Sequence, residues 1–439
     1  MEGAGNGTEV MKKIDLSRAE LAINGGIPLR TEPWLNNITT GDEEKQAVIR
    51  VMDSGYLSLF EGSHTPDAPF SFEGGPEVQG LEKEWSDYYD VKHSISLNSA
   101  TSGLYAAIGA AGIGYGDEVI VSPYTMTACA TAPLIYGAIP VFADVELEYG
   151  SLDPVSVDKR VTPRTKAIIV VHQFGIPADM DAIMAIAKKH DLIVIEDCAQ
   201  AHGAKYKDQF VGTIGNIGVF SLNVNKTIQS GEGGVCITND YDLAYRLQLI
   251  RNHGEAVVGP ANYENIINIV GFNYRLSELQ AAIARGQLKK LDSLNTARLE
   301  YIEYILDGLK DFSFLRPLTS REYCYSTYYV MPIRFIEEIA GIKREEFITA
   351  VNAEGALFYQ GYSKPLYLQP LYQNQELFKG GYPFAAKENE QCVKNYQQGI
   401  CPIAERLYYS EMVINEHIRL PNTKNDMINL LTIIKKVGK

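Results

Sequence analysis

The sequence predicts an α/β protein: a mainly parallel sheet covered by helices, followed by a smaller α/β domain. Three observations predict it. Short β-branched runs alternate with helical segments between residues 118 and 238. The runs at 167–172 and 192–196 are apolar almost throughout, as strands buried on both faces must be. The 439 residues, 46% of them apolar, are enough for one large domain and a second, smaller one.

The elements follow in order. The small polar residues of 98–103 precede an apolar helix over 104–111. A strand at 118–122, a helix at 127–136 and a strand at 140–143 come next. The strands 167–172 and 192–196 enclose a segment of helical spacing, 178–190. Two further strands, 218–222 and 234–238, bracket Lys226. One long helix, from Ser277 to about residue 305, crosses between domains, and Ser277 with Gln280 fits a capping box. Segments 323–329 and 358–372 concentrate several of the 27 tyrosines, and a helix near 426–437 closes the chain. The expected division is a flexible N-terminus, 1–20, a large domain, 21–300, and a small domain, 301–439.

Composition excludes several classes of function. A net charge of -14 argues against a general nucleic-acid role. No apolar run approaches the roughly 20 residues that cross a bilayer. The start, 1–8, is small and polar and lacks a secretory pattern, so a cytoplasmic protein is expected. The six cysteines (129, 198, 236, 324, 392, 401) are scattered without a CxxC and read as buried free thiols. His172, His202 and His253 lack ligand spacing, so no metal is expected. The glycine patterns 112–116 and 212–218 lead into strands, whereas a dinucleotide fingerprint leaves a strand and opens a helix.

The chemistry concentrates at two places. Lys226 lies between a buried strand and the turn Gly231, Glu232, Gly233, Gly234. A solvated lysine is the ordinary alternative, but a desolvated amine loses its proton more readily and becomes a nucleophile. Asp197 ends a buried strand, where open α/β sheets bind ligands. A capping aspartate explains that position equally well. Together an amine and a strand-end carboxylate suit pyridoxal phosphate: the lysine forms a Schiff base and the acid keeps the pyridine nitrogen protonated. Residues 98–103 are either an ordinary N-cap or an anion site at a helix start. Gln200 and Ser221 are candidate partners of the cofactor's phenolic oxygen and its phosphate, and each has an ordinary structural reading too. Asn273 and Arg275, in the loop before the long helix, are not explained by capping.

These motifs, in this order, resemble the DegT/DnrJ/EryC1/StrS family of sugar aminotransferases. The resemblance runs from about Leu21 to the C-terminus, and residues 22–31 are similar to the branch with scyllo-inosose aminotransferases and 3-amino-5-hydroxybenzoate synthases. It implies the type I aspartate aminotransferase fold with a mainly parallel seven-stranded sheet. It implies that Lys226 is the Schiff-base lysine and proton shuttle, that Asp197 faces the ring nitrogen, and that Gln200 touches the ring oxygen. Ala100, Thr101 and Ser221 then bind phosphate, and Asn273 reaches the phosphate of a neighbouring subunit in a homodimer with composite sites. Where relatives place an aromatic residue over the ring, this chain has Met126, so either Met126 covers it or Tyr124 swings in. The phosphate loop reads Ser99, Ala100, Thr101 instead of the usual Ser-Gly-Thr. The implied reaction moves an amino group from glutamate or glutamine to a ketone of a sugar, nucleotide sugar or cyclitol. A dehydratase or lyase, or a cofactor-binding regulator, is the alternative. Dehydratase relatives replace the lysine with histidine, so Lys226 favours transamination. Residues 58–70 and the tyrosine-rich segments 324–329 and 358–362 are expected either to shape the acceptor pocket or to pack a domain interface.

Overall fold

Seven strands carry the architecture: β1 (His93–Leu97), β2 (Glu118–Val121), β3 (Ile139–Phe142), β4 (Thr165–Val171), β5 (Ile193–Asp197), β6 (Ile217–Ser221) and β7 (Gly234–Thr238). In this computed structural model, which describes residues 13–63 and 67–439, they form one sheet in the order β1-β7-β6-β5-β4-β2-β3. Pairings from β6 through β3 are parallel, and β7 runs antiparallel to both its neighbours. The sequence reading missed β1, whose run His93, Ser94, Ile95, Ser96, Leu97 is half polar.

The absence of alternation in β4 has the expected cause. Ala167, Ile169 and Val171 enter one apolar cluster, and Ile168 and Val170 enter another. Helices Ala100–Ala110, Ala128–Ile135 and Tyr241–Arg251 cover the first face, and Pro76–Tyr89, Met180–His190 and Glu278–Leu288 the second. Each face therefore buries a full row of side chains.

The expected long helix is two helices, Glu278–Leu288 and Leu291–Leu309, separated at Lys289 and Lys290. A contact distant in sequence coincides with the break at Lys290. Its ammonium is drawn to the buried Glu44 carboxylate at 2.6 Å and to Thr39 O at 3.3 Å. The capping box is present: Gln280 N–H donates to Ser277 Oγ at 3.3 Å. Leu291–Leu309 then packs against the C-terminal helix, Lys424–Val437.

A second sheet, wholly antiparallel, orders Leu315–Pro317, Met331–Phe335, Met412–Asn415 and Tyr359–Gln360. Part of the tyrosine-rich segment leaves it: Cys324–Tyr325 pairs with Lys205–Tyr206 beside the first sheet. The start of the described chain is held here too, since Ile14 is buried and donates to Ala340 O at 3.0 Å.

Candidate active site

Parallel strands deliver their carboxyl ends to one edge of the sheet, and the site is built there. The register pairs Asp197 with Val219, two residues before Ser221, so both side chains leave adjacent strand ends. β6 and β7 are joined by the hairpin loop that carries Lys226. Leu222 N–H donates to Gly233 O at 2.8 Å and Val224 N–H to Gly231 O at 2.9 Å, which fixes the loop's base. Asn37 Nδ2 holds Lys226 O at 2.7 Å, and Arg298 Nη1 holds Thr227 Oγ1 at 2.7 Å.

The helix Ala100–Ala110 points its N-terminus at the same edge. Ser99 is its N-cap, accepting from Ser102 N–H at 3.0 Å, so the capping reading of this motif holds. Capping does not exhaust it: Ala100 and Thr101 also line the cavity, at the end where first-turn amides lack intrahelical partners. Gly234 permits this approach. A Cβ there would lie 2.6 Å from Ala100 N.

A cavity of about 410 Å³ brings these pieces together. Ala100, Thr101, Met126, Asp197, Gln200, Ser221 and Lys226 all line it. Asp197 is buried, with Oδ1 accepting from Ala199 N–H and Oδ2 from the Cys129 thiol, each at 3.0 Å. Lys226 Nζ lies 4.7 Å from the centre of the Tyr329 ring. Burial lowers the pKa of this ammonium, opposed by the negative charges of Asp197 and Glu416. Gln200 accepts from Phe174 N–H at 2.7 Å and donates to the Tyr362 hydroxyl at 2.6 Å, which leaves one amide N–H uncommitted.

The choice between Met126 and Tyr124 is decided by burial. Tyr124 is fully enclosed and its hydroxyl donates to Gly361 O, while Met126 is 57% exposed and faces the cavity. Asn273 does not line this chain's own cavity; it is exposed, and its Oδ1 accepts from Arg275 Nε at 2.8 Å.

Three lining residues come from around the second sheet: Tyr329, Tyr362 and Glu416. The tyrosine-rich pattern pointed to the first two. Glu416 follows the strand Met412–Asn415 and carries no local sequence signal. Of the stretch 58–70, residues 64–66 lie outside the described residues, and none of the described ones lines the cavity.

His172, Glu196 and Cys198 come within 4.8 Å of one another. Glu196 is already saturated, accepting from His172 Nε2 at 2.9 Å and from the N–H groups of Gly212, Ile214 and Gly215 at 2.7, 2.8 and 2.5 Å. The second glycine pattern thus binds a protein carboxylate.

The cavity fits pyridoxal phosphate by the chemistry of its donors. Helix-start amides and the Ser221 hydroxyl suit the phosphate, the buried Asp197 suits a pyridinium, and a desolvated amine suits the aldehyde. The sheet order and this site define a type I aminotransferase that uses pyridoxal phosphate. More narrowly, the chain belongs to the DegT/DnrJ/EryC1/StrS aminotransferase family, which matches residues 68–396. It is 35% identical over 374 residues to the L-glutamine:2-deoxy-scyllo-inosose aminotransferase of Micromonospora echinospora, covering 82% of this chain and 86% of that one. It is 34% identical over 345 residues to the dTDP-3-amino-3,4,6-trideoxy-alpha-D-glucose transaminase of Streptomyces venezuelae, covering 78% and 84%. Among solved structures, the aminotransferase of Psychrobacter cryohalolentis superposes with a TM-score of 0.78 at 28% identity, over 93% of this chain and 98% of that one. No helix among the described residues is long and apolar enough to cross a membrane.

Proposed function

We propose that this cytoplasmic enzyme transfers an amino group from glutamate or glutamine to a ketone of a sugar, nucleotide sugar or cyclitol. One observation carries the reading: Lys226 and Asp197, distant in sequence, line one cavity beside a helix N-terminus. The named relatives support the substrate range, one acting with glutamine on a cyclitol ketone and one on a nucleotide sugar. The division into a cofactor-binding part, 21–300, and a smaller part, 301–439, belongs to the same reading.

Pyridoxal phosphate, when bound, supplies an aldehyde for amine exchange and a ring that accepts the electrons of the substrate's Cα–H bond. The chain supplies the rest. Lys226 Nζ would bond the aldehyde at rest and, once freed, would carry the proton from the donor's Cα to C4′ of the cofactor. Burial lowers the pKa of this amine, which favours the neutral form that the task needs. Asp197, buried in the cavity wall, would pair with the ring nitrogen and favour its protonated form. Ala100, Thr101 and Ser221 would hold the phosphate, Gln200 has a spare N–H to offer the ring oxygen, and Met126 would cover the ring, all of them lining the cavity. Asn273, exposed at the surface, reaches the second copy's phosphate in a homodimer.

Lys226→Ala tests the reading. The variant is expected to lose the yellow absorbance of lysine-bound cofactor, and turnover falls at least about 10²–10⁴-fold. Retention of both the band and full turnover would refute the role of Lys226.

A further inference from the structure

Asp197 has two carboxylate oxygens, and the chain holds both. Oδ1 accepts from the backbone of Ala199 and Oδ2 from the thiol of Cys129, each at 3.0 Å. Cys129 is fully buried near the start of the helix Ala128–Ile135. It does not line the cavity but stands behind Asp197. Burial, and then the charge of Asp197, push the thiol pKa far up, so the sulfur keeps its proton and remains a donor.

We propose that Cys129 is a positioning residue: its thiol fixes the rotation of the Asp197 carboxylate that faces the cofactor's ring nitrogen. The inference rests on the reading that Asp197 pairs with that nitrogen. A hydrogen bond to the charged form of a carboxylate favours that form. Deleting the donor leaves Oδ2 buried and unsatisfied. The Asp197 carboxylate is then free to rotate away from the ring nitrogen. A ring nitrogen without its carboxylate partner gives up its proton more readily, and the ring becomes a weaker electron sink.

Three variants separate donation from packing. Cys129→Ser keeps a donor, Cys129→Val keeps bulk without one, and Cys129→Ala removes both. The cofactor is stripped and replaced by pyridoxal phosphate labelled with ¹⁵N in the ring. Affinity is read by fluorescence titration, and ring protonation by the ¹⁵N chemical shift. Cys129→Val is expected to weaken affinity about tenfold and to move the shift toward the unprotonated ring. Cys129→Ser is expected to stay within about twofold of wild type, because its hydroxyl replaces the donor. The proposal is overturned if Cys129→Val matches wild type in both readouts. It is equally overturned if the serine and valine variants lose affinity alike with no change in shift, since packing alone would then explain the loss. If the valine variant does not fold, Cys129→Ala is judged by the same two outcomes. A wild-type protein that takes up no cofactor sinks the underlying reading, and this inference with it.

Discussion

His202 shows how one residue's surroundings set its chemistry. It is fully buried, with its ring against those of Trp85 and Phe220. Burial first, then the positive charge of Lys226, lowers its pKa from 6.5 to about 3. The sign follows from linkage. Below pH 6.5 the unfolded chain takes up a proton that the fold refuses, so stability falls as the pH drops from 6.5 toward about 3. The loss approaches about 1.4 kcal/mol per pH unit. His417, lowered to about 4 by burial and then by Arg419, adds a second such loss. Urea midpoints at pH 7.0, 5.5 and 4.5, roughly spanning that window, are expected to decline in the wild type and to decline less steeply in His202→Asn. Equal slopes would exclude His202 as a source of the acid sensitivity.

At the scale of elements, the anion-binding end of the site depends on how closely a helix approaches a strand. Gly234 begins β7 and faces the start of the helix Ala100–Ala110. Any side chain there meets Ala100 N and the Ser99 carbonyl carbon, both at 2.6 Å. Backbone cannot yield as a flexible side chain can. Gly234→Ala is therefore expected to cost about 1–3 kcal/mol in a urea titration, and to weaken cofactor binding by tilting the helix-start amides. A variant with wild-type stability and wild-type affinity would show that the approach is looser than it looks. The hairpin loop behaves differently: hydrogen bonds from Asn37, Arg298 and Arg419 fix it from outside, so Lys226 is held by residues remote in sequence.

At the scale of the molecule, apolar surface remains uncovered. Ile27, Ile38, Ile267 and Val270 are all at least half exposed, and Asn273 lies near the last two in sequence. A composite site would need a second copy of the chain to bring its Asn273 to this cavity. Sedimentation is expected to give a dimer. Mixing Lys226→Ala with Asn273→Ala protein, after mild dissociation, is expected to regain activity. Each hybrid would hold one site with an intact lysine and an intact partner asparagine. No recovery above the sum of the two variants would rule out shared sites.

The sequence alone determined the strands of the large sheet except β1, the place of Asp197 at the end of one and of Lys226 in the loop between two, and the capping of the helix at Ser277. These features are local: apolar runs, strand ends and caps follow from a few adjacent residues. Tertiary structure decided the rest. The break at Lys289 and Lys290 comes with Glu44, more than 200 positions away. The pairing of Cys129 with Asp197, the enclosure of Tyr124 that leaves Met126 at the cavity, and the arrival of Glu416 are all contacts between distant segments. Side-chain burial and hydrogen-bond partners depend on which elements pack together, and no stretch of neighbouring residues carries that information.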